Sequence, residues 1–188
     1  MIFTWTKKAR ARRELADTLY IAAAAQAFDP ALYEGEGGVP DTLDGRFEMI
    51  CLYSSLIMGR LGQEPDGRKL SQALFDRVFV GVEQALREMG VGDLSVPRHM
   101  KRMMTGFNGR ARAYDSALRE GAEVLQNVIR RNVFGTVQDP DQARISALVD
   151  KVFIYKNYIY KQSIITISLS DILSNLEASN SAQERRYG

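Results

Sequence analysis

Residues 70–134 read LSQALFDRVFVGVEQALREMGVGDLSVPRHMKRMMTGFNGRARAYDSALREGAEVLQNVIRRNVF. Within them Leu70, Leu74, Val78, Val82, Leu86 and Met89 recur every three or four positions, the spacing that puts side chains on one face of an α-helix. The pattern predicts a helix from about Lys69 to Met89, ended by Gly90 and Gly92. Such a face has to be covered, so partner helices are expected on either side of it in the chain.

Downstream, Ser95 suits the N-cap of a fourth helix with Pro97 in its first turn, where a missing backbone donor does little harm. Its stripe is Val96, Met100, Met103 and Phe107; Gly106 and Gly109 predict a bend before a fifth segment, with stripe Tyr114, Leu118, Ala122, Leu125, Ile129 and Val133. Another helix is expected from near Pro140. Upstream, a first helix from about Ala9 to Phe28 stops at Asp29-Pro30, because proline disfavours the helical conformation of the residue before it. After a glycine-rich loop at Tyr33–Pro40, Asp41 or Asp44 is expected to cap a second helix using Phe47, Ile50, Cys51, Ser54, Ile57 and Leu61, with Gly62 as a left-handed terminator. Pro65-Asp66-Gly67 makes a turn. The stretch 152–173 leaves two readings open, since IYKNYIYK and IITISLSDIL are rich in β-branched and aromatic residues. Context favours helix, because a lone strand would leave its backbone groups without partners. The expected fold is all-α, a single compact multi-helix domain, with a basic helix and loop at 1–38 continuous with a helical domain at 39–188.

The chain has 188 residues, 45% of them hydrophobic and 26% charged, enough for one core without disulfides or metals. A single cysteine, Cys51, lies in an apolar run and points to a reducing compartment, hence a cytoplasmic location. The most apolar late stretch, Val152 to Leu173, is broken by Lys156, Lys161 and Asp171 and falls short of the roughly 20 apolar residues a membrane span needs. The basic start continues with helical periodicity through Leu15, Leu19, Ala22 and Gln26, so it reads as a first helix, with a basic organelle-targeting peptide as the other reading open to it.

Catalytic chemistry finds little support. The lone His99 sits between Arg98 and Lys101 in a charged helix face, and Cys51 sits on an apolar face where a thiol acts as a small hydrophobe. GQEPDGRK at 62–69 has the glycines of a phosphate loop, but Arg68 and Lys69 stand where lysine and the magnesium-binding hydroxyl belong. Carboxylates such as Glu48, Asp76 and Glu88 are plentiful without a sign that they converge. No catalytic, cofactor-binding or metal-binding residue is assigned.

What remains is surface. KKARARR at 7–13 suits anionic lipid headgroups or RNA, and Trp5 beside it adds an interfacial aromatic. Trp5, Lys7, Lys8, Arg10, Arg12 and Arg13 are therefore the expected membrane-surface residues, each cation near an anionic membrane being worth about 1 kcal/mol. A second basic area gathers Arg98, Lys101, Arg102, Arg110 and Arg112. Met100, Met103 and Met104 either fill the core or form an adaptable surface for an apolar client.

The words LSQALFDRVF, LREMGVGDL and GRARAYDSAL, with VPDTLDGRFEMICL before them and RNVF after, resemble the ubiquinol-cytochrome c chaperone family over about Val39–Phe134. Matching positions include Asp44 to Glu48, Leu70, Gln72, Leu74 to Asp76, Gly90, Asp93 and Leu94, then Gly109, Ala113 to Asp115, Leu118, Arg131, Asn132 and Phe134. Tyr53 departs from the histidine that members often carry, and the tail after Lys151 departs as well. The resemblance implies a non-enzymatic assembly factor, without a cofactor, that binds newly made cytochrome b and supports its incorporation into the cytochrome bc1 complex. It further implies a second assembly factor as partner. The short N-terminus resembles the bacterial branch, which implies a cytoplasmic protein peripheral to the inner membrane. Phe47, Leu74, Phe75, Leu118 and Phe134 are expected in the core. Arg46, Glu48, Gln72, Asp76, Asp93, Lys101, Arg110, Tyr114, Asp115, Arg131 and Asn132 are the candidate partner-binding residues, with an internal polar network as the other role open to them.

The rival function is DNA binding. The third helix, the GVGDL turn and the basic helix from Ser95 have the order of a helix-turn-helix. The length of the third helix and a net charge of only +2 count against it, so nucleic acid is not the expected partner.

Overall fold

Leu43–Leu61 forms the helix around which the others are arranged, and every residue from Phe47 to Ile57 is buried. A helix enclosed on all sides belongs in the interior, so the expected stripe on this segment is only part of its buried surface. The computed structural model describes residues 2–35, 38–65 and 67–164, with side chains from residue 7 onward. Among them the order is α1 (Ile2–Ala27), a single 3₁₀ turn (Pro30–Leu32), α2 (Leu43–Leu61), α3 (Gly67–Glu88), α4 (Val96–Glu120), α5 (Ala122–Asn132) and α6 (Gln142–Lys161), with no strand. The fold is all-α. Helices α1, α3, α4 and α6 pack on α2, and α5 joins α4 to α6.

The α3 stripe behaves as its spacing predicts. Leu70, Leu74, Val78, Val82 and Leu86 are buried, whereas Met89 lies past the helix end and is 61% exposed. Between α2, α3 and α4 a cluster of rings fills the core: Phe79 meets Phe47, Phe75 and Phe107 at centroid distances of 6.4, 4.7 and 5.8 Å. On the other side of α2, Tyr53 and Tyr155 of α6 meet edge to face at 5.5 Å, the arrangement aromatic quadrupoles favour. Residues 153–161 are helical, and 165–173 lie outside the described residues.

Several helix ends differ from expectation. The first helix begins at Ile2 and not near Ala9. Thr42 caps α2, its Oγ1 accepting from the Gly45 N–H at 3.1 Å, while Asp41 is drawn off to Arg46. Gly62 is right-handed at φ −58°, so it is no left-handed terminator. Ser95 occupies the N-cap position of α4 but makes no capping bond through its side chain. Its φ and ψ are already helical, and Gly92 O accepts from the Ser95 and Val96 N–H groups instead.

The largest correction concerns α4, which runs 25 residues without a break at Gly106 or Gly109. The chain turns at Gly121, where φ is +126° and ψ −177°, a region open essentially to glycine alone. Gly121→Ala is therefore expected to cost about 2 kcal/mol, while Gly109→Ala, helical and with open space beside it, is expected to add about 0.5–1 kcal/mol. Urea unfolding of the two variants checks this; equal shifts for both would contradict the assignment of the break.

Candidate functional site

Helix α4 carries Arg102, Gly106, Arg110 and Tyr114 at four-residue spacing, hence on one face. That face meets the N-terminal end of α2 and the chain just past α5. Glu48, from α2, is only 5% exposed and is held by Arg110, whose Nε and Nη2 donate to its two carboxylate oxygens. The guanidinium of Arg110 also lies 5.6 Å from the Phe47 ring centroid. Gly106 makes room for it, because a Cβ there would come within 2.6 Å of Arg110 Nη1. Cys51 lies one turn further along α2, fully buried.

Burial pushes the Glu48 carboxyl above its ordinary value, Arg110 pulls it back, and Asp44 adds to the rise. Charged Glu48 is thus tolerated inside the protein because of one cation from a helix 62 residues away. Burial, with the Glu48 charge second, also drives the Cys51 thiol well above its usual range, which keeps it from acting as a thiolate. Tyr114 is completely buried and its hydroxyl is strongly raised, again first by burial. Asn132 lies beside that hydroxyl and draws it partly back down, and the Tyr114 hydroxyl and Asn132 Nδ2 are both buried. Together Asp44, Glu48, Arg102, Arg110, Asn132 and Thr136 line a cavity of about 360 Å³, with Met103 and Val133 among its apolar walls.

The flank of α4 that faces α3 borders a second, larger cavity of about 520 Å³. Its apolar wall is Val96, Pro97, Met100 and Met104; its polar rim is Glu83, Arg87, Asp93 and Lys101. Arg87 bonds both Glu83 and Asp93, which neutralises most of that rim and leaves Lys101 without a partner among the described residues. The loop that carries Asp93 also exposes Leu94, at 98%. Met103 is buried and Met100 and Met104 are half-buried, so the methionines divide between core and groove.

The candidate partner-binding residues do not converge on one surface. Glu48, Arg110, Tyr114 and Asn132 come together around the first cavity, and Asp93 and Lys101 border the second. Arg46 lies on the surface, pairing with Asp41 at 2.5 Å and standing over the Tyr33 ring. Tyr33 is pushed up to about 12, mainly by burial. Gln72 and Asp76 bond each other at 2.8 Å on α3 and, with Arg12 and Arg13 of α1, line a separate cleft. Asp115 pairs with Arg119 at 2.6 Å on the outer face of α4, and exposed Arg131 donates to Asn132 Oδ1 at 3.3 Å. Of the membrane-surface set, Lys7, Lys8, Arg10 and Arg13 are exposed and Arg12 is half-buried. Arg10 pairs with Glu14, and the other four have no partner among the described residues. The Trp5 side chain lies outside the described residues. Arg102 belongs to the second basic area read from the sequence but not to the partner-binding set, which its four-residue spacing to Arg110 and Tyr114 could have suggested, and nothing in the sequence marked Thr136.

No helix among the described residues is long and apolar enough to cross a membrane. The profile of a family described as ubiquinol-cytochrome C chaperone matches residues 36–167. The crystal structure of the Cbp3 homolog from Brucella abortus is similar at a TM-score of 0.73 and 29% identity, covering 89% of this chain and 93% of that one. Comparison with curated protein sequences returns no significant match.

Removing one partner of a buried ion pair strands the other, whereas replacing both leaves no unpaired charge. Arg110→Met alone is expected to cost about 3 kcal/mol, and Glu48→Leu/Arg110→Met to recover most of that loss. An acid raised on folding contributes stability that is present at low pH and lost as pH climbs through its folded value. With Arg110 gone the Glu48 titration should move further up, followed by carboxyl ¹³C NMR; an unmoved titration, or a double variant no more stable than Arg110→Met, would contradict the pairing.

Proposed function

The chain belongs to the ubiquinol-cytochrome c chaperone family, matched over residues 36–167, and from that premise we propose that it is a non-enzymatic assembly factor for the cytochrome bc1 complex that binds newly made cytochrome b. The family match is the observation that carries the reading. It spans α2 to α6 and so includes both cavities beside α4.

A holder for an apolar client needs a surface that adapts to irregular side chains. Met100 and Met104 supply one, because an unbranched thioether side chain repacks at little cost. Val96, Pro97 and the exposed Leu94 extend that surface, and Lys101 places a cation on its rim. Asp93 and Lys101 are the partner-binding candidates that fit this role. Arg46, Gln72, Asp76, Asp115 and Arg131, exposed or half-paired on other faces, suit contacts with a second assembly factor. Glu48, Arg110 and Tyr114 act by holding α2 to α4.

The start of α1 gives the protein a place to meet the membrane that its client enters. Lys7, Lys8 and Arg13 are exposed and Arg12 is half-buried in the N-terminal half of α1, ahead of Ala16, the first buried side chain among the described residues. Cations so placed favour an anionic surface by about 1 kcal/mol each, an attraction that salt screens. The proposed location is the cytoplasmic face of the inner membrane, bound peripherally.

Deletion of the gene, followed by a reduced-minus-oxidised haem spectrum and a cytochrome b immunoblot on isolated membranes, tests the reading. Cytochrome b and bc1 activity are expected to fall, to return with the intact chain, and to return only in part with Met100→Asp/Met104→Asp, provided that variant melts like the parent. In the same strains, charge reversal at Lys7, Lys8, Arg12 and Arg13 should lower the membrane-bound fraction of the chaperone. Unchanged cytochrome b in the deletion strain, with no homologue present to replace the chain, would overturn the proposal.

A further inference from the structure

The cleft between the N-terminal halves of α1 and α3 carries more positive charge than the fold uses. Its wall holds Arg12 and Arg13 from α1 and Lys69 and Arg77 from α3, against only two carboxylates, Asp17 and Asp76. Arg77 is committed to Asp17, whose Oδ1 accepts from its Nε at 2.8 Å, and lies over the Tyr20 ring at 4.2 Å. Asp76 accepts from Gln72 at 2.8 Å. Even with Asp76 set against one more cation, two positive charges remain in the wall. Arg12 and Arg13 have no ion-pair partner among the described residues, and Arg12 is half-buried. Ala9, Ala16 and Ala73 keep the cleft concave, and its volume of about 430 Å³ falls in the range of small-ligand sites, about 300–1,000 Å³.

The two helices run in parallel, because Asp17 pairs with Arg77 and, one turn on, the Tyr20 hydroxyl occupies the space that a Gly81 Cβ would need. At that offset the start of α3 at Gly67 stands level with Lys7, and α1, which begins at Ile2, runs about a turn beyond it. The overhanging sequence is Ile2-Phe3-Thr4-Trp5, with residue types that favour the boundary between lipid and water. Along the axis of α1 the order is therefore an apolar end, then Lys7 and Lys8, then the cationic cleft. An anionic bilayer presents the same order from its interior outward, hydrocarbon and then phosphates. A guanidinium fork matches phosphate oxygens in pairs. We propose that this cleft is a headgroup site that takes the phosphate of an anionic phospholipid between Arg12 and Arg13, with Lys69 on the α3 side. It rests on the peripheral membrane binding proposed above and gives that binding a discrete site and a lipid class. Cytochrome b binding in the methionine-lined groove does not depend on it.

The experiment measures binding of the full chain to mixed phosphatidylglycerol and phosphatidylcholine vesicles by flotation, with the emission of Trp5, the one tryptophan of the chain, as a second reporter. Phosphatidylcholine vesicles, inorganic phosphate and a single-stranded RNA oligonucleotide are the comparison ligands. The expected result is saturable binding to the anionic vesicles alone, with a blue shift of Trp5 emission. Arg12→Gln should weaken that binding about thirtyfold, as the loss of a charge-assisted hydrogen bond does, and Lys8→Gln, which removes a cation from the open surface, about fivefold. Added salt should erase the Lys8 effect and leave most of the Arg12 effect, because a partly buried contact is screened less. Melting temperatures should not change. Equal losses in the two variants, effects that fade together with salt, or unshifted Trp5 emission in bound protein would overturn the site while leaving peripheral membrane binding in place. No binding to anionic vesicles would overturn both. Displacement from the vesicles by inorganic phosphate would assign the cleft to free phosphate, and tighter, Arg12-dependent binding of the RNA would assign it to nucleic acid; either result overturns the lipid site.

Discussion

Glu48 sits in the most enclosed helix of the molecule, and an ionised carboxylate stays in such a place only when a cation and good hydrogen bonds come with it. Arg110 supplies both from α4. That requirement fixes much else: it sets the register of α4 against α2, it favours a residue without Cβ at Gly106, where Arg110 comes close, and it places Tyr114 one turn beyond, against the same core. It also explains why α4 must be straight. A bend at Gly106 would carry Arg110 away from Glu48, so the glycine that suggests flexibility in the sequence serves close approach in the fold.

Once α4 is pinned along this line, its two flanks are given different neighbours. Toward α3 lies the methionine-lined groove with Lys101 on its rim; toward α2 and α5 lies the polar cavity lined by Arg102 and Arg110. Consecutive residues of one helix thus serve two surfaces, and the assembly role proposed for the chain draws on the more apolar of them. The basic turns of α1 stand apart from both, ahead of Ala16, the first buried side chain among the described residues.

Local patterns were legible where one periodicity and one environment agree. The α3 stripe from Leu70 to Leu86 is buried as its spacing requires, and Asp29-Pro30 ends α1. Family words between Val39 and Phe134 led to the relationship that the profile over residues 36–167 establishes. The remainder depends on distance in sequence. Nothing near Glu48 announces that its partner lies at Arg110, and nothing near Asn132 announces that it will lie beside Tyr114. The caps failed for a related reason: Asp41 is as good a cap as Thr42 by type, but Arg46 competes for it. Met89 fits the stripe of α3 and yet falls past the helix end, because Gly90 at φ +79° turns the chain first.

The central claim is that the α3–α4 groove receives the client. A photoactivatable cross-linker placed at Met104 in the groove, with Ile154 on the exposed face of α6 as the comparison position, tests it directly in membranes making cytochrome b. The account predicts an adduct with cytochrome b from position 104 and none from position 154. Adducts from position 154 alone, or equal yields from the two, would contradict it.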